Sequence, residues 1–243
     1  MSSSEDEARL NEWFVPRFGP LRFRAAVGLL FLPYTGMVLA FTLIGSMLAG
    51  AIHWDRVAAI LAIYFLALGL AAHALDAVGS GGTKPWGVVF SPRQLWLVAG
   101  GSLVVAYAIG IRYMLRDAPM LWWIAMAEGF FLLAYNLEWL SGRFHTDGWF
   151  ALSWGGLPVL AGYVLQTNRL SWAAMLVATA VALLALVEIK ASRPYKMLKR
   201  AASVEPLSAI ERFCMQQFES ILKALSLGVI LLGVGLAGWR WAG

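Results

Sequence analysis

Apolar runs of membrane-crossing length constrain this sequence more than any other feature. Seven stretches reach or approach the roughly 20 residues needed to cross a hydrocarbon core of about 30 Å. They occupy so much of the 243 residues that no separate soluble domain fits beside them, and 60% of all residues are hydrophobic. Soluble enzyme folds and nucleic-acid-binding modules are therefore excluded. The net charge of +5 indicates contact with anionic membrane lipid instead of nucleic acid.

The predicted fold is all-α, a polytopic transmembrane helical bundle of about seven spans. Helices are required because a lone strand in lipid leaves its backbone polar groups unpaired, and the alternation typical of a membrane barrel is absent. The predicted organisation is a cytoplasmic N-terminal tail, residues 1–24, followed by a single transmembrane domain, residues 25–243. The predicted spans are Ala25–Ile52, Val57–Ala77, Leu95–Ile111, Met120–Trp139, Trp149–Leu165, Trp172–Val187 and Ile221–Gly238.

Lys and Arg are unevenly divided between the two sides of these spans. Thirteen fall in the tail and in the second, fourth and sixth loops, against five in the odd-numbered loops and at the C-terminus. Because cytoplasmic loops carry the excess of Lys and Arg, a protein integral to the cell membrane is expected, with its N-terminus in the cytoplasm and its C-terminus outside.

The sixth loop, residues 189–220, is the longest and is expected on the cytoplasmic side. Pro206 could sit in a first helical turn, and apolar residues recur after it at helical spacing. An amphipathic segment is therefore predicted, either as an interfacial anchor of the loop or as a lid over a cavity.

Ionisable residues in or beside the spans indicate function, because such groups in hydrocarbon usually face a cavity or a partner. His73 and Asp76 share one helix face near the end of the second span. Glu128 lies mid-span and should be protonated or paired. Tyr135 and Glu138 are expected to lie on the same helix face as Glu128, nearer to the cytoplasm. The remaining candidates on that side are His145, Asp147 and Glu188.

Each of these residues also has a structural interpretation. His73 could be a core histidine bonded to a backbone carbonyl, and Asp76 could cap the loop after it. Solvated interfacial positions would explain Glu138, His145, Asp147 and Glu188.

Two runs resemble the UbiA-type intramembrane prenyltransferases. In the run from Ala71 to Leu97 the resemblance rests on Asp76, Lys84-Pro85 and Ser91-Pro92-Arg93. In the run from Ala134 to Val164 it rests on Tyr135, Gly156-Leu157-Pro158 and Gly162-Tyr163.

The resemblance implies a UbiA-like fold and transfer of a prenyl group from a polyprenyl diphosphate, held with Mg²⁺, to a lipophilic acceptor. Asp76 and Glu188 would be the metal-diphosphate ligands, and His73 stands where the family has another aspartate. Seven spans are counted here against the nine typical of the family. Charge partners of the diphosphate would be Lys84, Arg93 and Arg193, and further substrate-binding residues would be Tyr135 and Glu128.

Two alternatives remain beside this enzyme. The first is a non-catalytic UbiA-like subunit of a larger membrane complex that binds a quinone, a pigment or a lipid. The second is a metal site for iron, manganese or zinc, since His with carboxylates suits these ions better than magnesium. Its candidate ligands are His73, Asp76, Glu128, Glu138, His145 and Asp147.

The charge distribution generates a topological prediction. A reporter domain fused after Gly243 should be active outside the cell, because the Lys and Arg excess retains the tail and the even-numbered loops inside. Alkaline phosphatase and green fluorescent protein fusions measure the two locations, and a cytoplasmic C-terminus would contradict the assignment.

Overall fold

The structure, a computed structural model, describes residue 10 and residues 12–79 and 89–243. Every regular element in these residues is a helix, and six helices are long and apolar enough to cross a membrane. The protein is therefore a membrane-embedded helical bundle. Its helices are α1 (Leu21–Leu29), α2 (Leu32–Met47), α3 (Trp54–Gly79), α4 (Pro92–Arg116), α5 (Leu121–Asn136), α6 (Asp147–Thr167), α7 (Trp172–Ala202) and α8 (Ala209–Ala242).

One end of the bundle carries the C-terminus together with three helix connections. The guanidinium of Arg56 donates to the backbone carbonyl of Gln166 at 3.3 Å and forms an ion pair with Asp117 at 3.3 Å. Arg240 of α8 donates to the backbone carbonyl of Ala49. These bonds place the connections α2–α3, α4–α5 and α6–α7 at what we call the C-terminal end.

The opposite end, here the N-terminal end, carries the chain segment before α1. Gly79 at the end of α3 lies against the backbone of Asn136 at the end of α5. Lys199 of α7 forms an ion pair with Glu12 at 2.9 Å. Helix α5, although only 16 residues or about 24 Å long, thus runs from one end to the other. Six segments meet the length for a span, and one of them, Leu21–Met47, consists of α1 and α2 taken together. Helix α5 falls short of that length, although the sequence predicts seven spans.

The first predicted span, Ala25–Ile52, is not one continuous helix. Phe31 separates α1 from α2 with φ 42° and ψ 56°, in the left-handed region that is costly for a residue with a bulky side chain. Pro33 occupies the first turn of α2, where its missing N–H costs no hydrogen bond. The sequence does not predict this break, because the apolar pattern continues across it.

Residues 189–220, which the sequence analysis treats as a loop, are mostly helical. Helix α7 continues to Ala202, and α8 begins after Ser208, whose hydroxyl accepts from the backbone N–H of Glu211. The two helices have 31 and 34 residues, about 46 and 51 Å, so both exceed the hydrocarbon thickness. The predicted amphipathic segment overlaps the first part of α8, but Pro206 precedes this helix and does not lie in its first turn.

The described part of the tail folds back onto the bundle. Arg24 of α1 donates to the backbone carbonyls of Leu10 and Pro16, at 2.8 and 2.9 Å. The ammonium of Lys223 lies 5.4 Å from the centre of the Trp13 ring. The rest of the predicted 1–24 tail, residues 1–9 and 11, lies outside the described residues.

Helix α2 lies at the centre of the bundle and packs on both α6 and α8. A methyl group added at Gly45 would collide with the backbone carbonyl of Val159, and one at Gly162 would collide with the backbone of Thr42 and Ser46. Only glycine permits so close a crossing, as in other membrane helix pairs that lack a hydrophobic driving force.

This crossing generates a stability prediction. Gly162→Ala should destabilise the protein by about 1–3 kcal/mol, because the added methyl overpacks a backbone contact. Gly100→Ala is the matched control, since nothing lies within 4 Å of its methyl position on α4. Thermal unfolding in detergent, followed by circular dichroism, measures both variants; equal midpoints would contradict the packing assignment.

Candidate functional site

Six aromatic rings form a continuous wall at the N-terminal end of the bundle. The His73 ring centre lies 5.1 Å from Phe31 and 5.3 Å from Trp154. Trp154 stacks on Phe150 at 5.5 Å, Phe150 lies 5.9 Å from Tyr135, and Tyr135 stacks on His145 at 4.3 Å. These separations are those of favourable ring contacts. The aromatic wall is Phe31, His73, Trp154, Phe150, Tyr135 and His145.

Irregular backbone positions three rings of the wall. The left-handed Phe31 turns its ring onto His73. A π-helical stretch, Phe65–Ala72, immediately precedes His73, and a second one, Leu152–Gly156, contains Trp154. Such wide turns are frequent at functional sites. A wide turn changes the helix face on which the later residues lie. Regular helical periodicity therefore does not predict the positions of these rings.

Arg193 of α7 lies at one end of the aromatic wall. Its Nε forms an ion pair with Asp147 Oδ1 at 3.1 Å, and it also contacts the backbone carbonyl of His145 at 3.5 Å. The His145 ring nitrogen Nδ1 lies 3.0 Å from the carbonyl oxygen of Tyr135. The Arg193 side chain keeps 45% of its surface exposed, so part of it remains accessible to a ligand.

Lys196, one turn further along α7, lies at the other end of the wall. Its ammonium sits 5.0 Å from the Phe31 ring centre and 5.3 Å from that of Tyr34. The Tyr34 hydroxyl donates to Ser192 of α7. Glu188 is buried one turn before Ser192 and interacts electrostatically with Lys196. The site therefore holds two cations, each with a carboxylate nearby.

Asp76 lies one turn beyond His73 on α3 and is half-buried. Asp76, Asp147 and Arg193 all act electrostatically on the Tyr135 hydroxyl, so these four residues share one region. The structure thus brings together seven of the residues predicted from sequence: His73, Asp76, Tyr135, His145, Asp147, Glu188 and Arg193.

Other predicted site residues lie elsewhere. Arg93 is exposed in the first turn of α4. Lys84 lies outside the described residues. Glu138 is exposed with φ 52°, beyond the end of α5 at Asn136, so it does not continue a helical stripe from Glu128.

Glu128 belongs to a different region, nearer the middle of the bundle. Its Oε1 accepts a hydrogen bond from the Tyr64 hydroxyl at 2.8 Å, and it lines a cavity between α3, α4 and α5. The predicted grouping of Glu128 with His73, Asp76, Glu138 and His145 around one metal is not seen. Among the described residues, no three His, Cys, Asp or Glu side chains come together in a metal-binding group.

Four residues of the site are not predicted from the sequence. Phe31, Phe150 and Trp154 look like ordinary apolar span residues, and only tertiary contact shows that they form a wall. Lys196 was counted only as a loop charge. Its spacing of three residues from Arg193 would have shown that both cations share a helix face, had α7 been extended.

In comparisons with known proteins, the chain matches no family model, no curated protein and no solved structure.

The ion pair between Arg193 and Asp147 should be weak. Both side chains are partly exposed, at 45% and 29%, so a double-mutant cycle with Arg193→Gln and Asp147→Asn should give a coupling of at most about 1 kcal/mol. The more buried pair of Lys199 and Glu12, at 21% and 11%, should couple more strongly. Unfolding in mixed detergent micelles measures both cycles; the reverse order would show that Arg193 is a structural cation.

Proposed function

We propose that the protein binds the anionic head group of an isoprenoid lipid at the N-terminal end and transfers the prenyl group to a lipophilic acceptor. The observation that carries this proposal is the aromatic wall that ends at Arg193 and Lys196. The UbiA resemblance is part of the proposal, as is the cytoplasmic orientation of this end.

The two cations suit a diphosphate. Arg193 and Lys196 lie three residues apart on α7, where Arg193 contacts the His145 carbonyl and Lys196 lies over the Phe31 ring, at the two ends of the wall. A guanidinium binds phosphate oxygens with charge-assisted hydrogen bonds, which are about twice as strong as neutral ones. The partly exposed ion pair with Asp147 can exchange for a ligand at little cost.

The aromatic wall suits the isoprenoid part of the same ligand. Aromatic faces pack well against an apolar chain, and they attract a cation placed over the ring. When the bond between an allylic carbon and a diphosphate oxygen breaks, positive charge develops on the carbon. Rings beside that carbon would stabilise it, while Arg193 and Lys196 would stabilise the departing diphosphate.

Asp76 is the residue that would hold Mg²⁺ in this reaction. Magnesium is commonly held by one or two carboxylates together with water and substrate phosphates, so a full cage of protein ligands is not required. The ion would supply charge neutralisation to the diphosphate. Glu188 beside Lys196 is the carboxylate on the α7 side of the site.

A second candidate function is binding without catalysis, as a subunit that retains a quinone, pigment or lipid. The pairing of the carboxylates favours it, since Asp147 already pairs with Arg193 and Glu188 interacts with Lys196. Few carboxylates then remain for metal ions.

Prenyl transfer assays separate the two functions. Purified protein is incubated with radiolabelled prenyl diphosphates and a panel of lipophilic acceptors, with and without Mg²⁺. Asp76→Asn should abolish Mg²⁺-dependent transfer, and His73→Ala should reduce it less. Asp55→Asn, the same change at the other end of α3, is the matched control.

Binding of the labelled diphosphate tests the cation site independently of turnover. Arg193→Gln should weaken it about tenfold or more, because a charge-assisted hydrogen bond is lost. Arg200→Gln, an exposed cation on the same helix, should change it little. Binding without transfer in the parent protein would favour the second function. Binding that Arg193→Gln leaves unchanged would contradict the proposed head-group site.

A further inference from the structure

We infer a second ligand site in the cavity beside Glu128, which takes a lipophilic molecule bearing a hydroxyl group. Its residues differ from those of the aromatic wall, and the inference does not depend on prenyl transfer. Glu128 is the anchor, and the ligand enters from the bilayer between α4 and α5.

The Glu128 carboxyl has one hydrogen-bonding position in use and one open. Oε1 accepts from Tyr64, whereas Oε2 is inaccessible to solvent and has no hydrogen-bond partner among the described residues. Buried polar atoms are nearly always bonded, so an open position calls for a ligand. If Glu128 is ionised, Oε2 needs a donor; if it is protonated, its O–H needs an acceptor. A hydroxyl group satisfies either state, since it can donate and accept.

The cavity is otherwise apolar and has a volume of about 70 Å³. Its lining comes from α3, α4 and α5, with Ala161 from α6, and its polar side chains are Glu128, Tyr64 and Tyr107. An apolar pocket with a few converging polar groups is the usual form of a small-molecule site. The volume fits a small head group or ring, so the remainder of a larger ligand would extend into the lipid.

The cavity opens towards the bilayer at the gap between α4 and α5. Helix α4 packs on α3, and α5 packs on α3 and α6, so the two helices do not form a tight pair. Tyr107 crosses the gap, donating to the backbone carbonyl of Ala125 at 3.3 Å. Gly129 makes room for it, because a methyl there would collide with the Tyr107 hydroxyl. The half-exposed Leu103 marks the rim.

The outer faces of both helices beside this gap are apolar and exposed. A ligand arriving through them must therefore be soluble in lipid. Molecules with an anionic head group are disfavoured, because neither Glu128 nor any other lining residue offers a cation.

Matched phenol and ether probes test the site. The protein is placed in phosphatidylcholine nanodiscs, and binding of tritiated 4-nonylphenol is compared with that of 4-nonylanisole, in which a methyl group replaces the hydroxyl hydrogen. The phenol should bind about tenfold more tightly, as expected for a hydrogen bond to a buried carboxyl. The infrared carboxyl band should shift when the phenol binds.

Glu128→Leu should remove both the preference for phenol and the infrared shift, whereas Glu128→Gln should keep part of the preference because an amide still forms hydrogen bonds. Glu205→Gln is the matched control, an exposed Glu in the α7–α8 connection. Arg193→Gln should also leave the preference unchanged, so failure of the head-group site and failure of this site are distinguishable.

Ala125→Phe provides a test that retains Glu128. The bulky ring should reduce binding of phenol and anisole alike by about tenfold or more, since Ala125 lines the cavity and the ring would fill part of it. Equal affinity of the parent for phenol and anisole, a preference retained in Glu128→Leu, or unchanged binding in Ala125→Phe would each overturn the inference.

Discussion

The close backbone contact between α2 and α6 is the constraint on which the rest of the structure depends. Gly45 and Gly162 bring the two helices together without intervening side chains. The hydroxyls of Thr42 and Ser46 bond back to carbonyls of their own helix, at 2.9 and 3.1 Å, so the contact leaves them satisfied. In lipid, close packing replaces the hydrophobic effect as the force between helices. The crossing fixes α2 as the centre around which the other helices pack.

Both proposed ligand sites depend on this centre in different ways. The break at Phe31 sits directly before α2, so its ring is held against His73 by a helix that cannot move freely. Helix α6 carries Phe150 and Trp154 on the same rigid pair. The cavity beside Glu128 lies between α3, α4 and α5, where α4 and α5 both pack on α3.

Much of the helical fold could be predicted from sequence, because the length of an apolar run is a local signal. The boundaries of α3 and α6 fall within three residues of the predicted spans. The helical structure of residues 189–220 is harder to predict, since a helix that leaves the bilayer as part of a paired hairpin becomes polar without ending. A polar stretch is therefore interpreted as a loop, and for this reason the sequence does not predict the position of Lys196 on a helix.

The sequence by itself determined that this protein is a membrane-embedded helical bundle, and that His73, Asp76 and Tyr135 are chemically unusual residues for their spans. Tertiary structure alone decided which of these residues meet. It placed Tyr135 with Arg193 and Asp76, separated Glu128 into its own cavity, and left Glu138 exposed. The physical reason is that helical periodicity predicts the helix face on which a residue lies. The residues that this face contacts are decided by π-helical turns, the left-handed Phe31 and close glycine contacts.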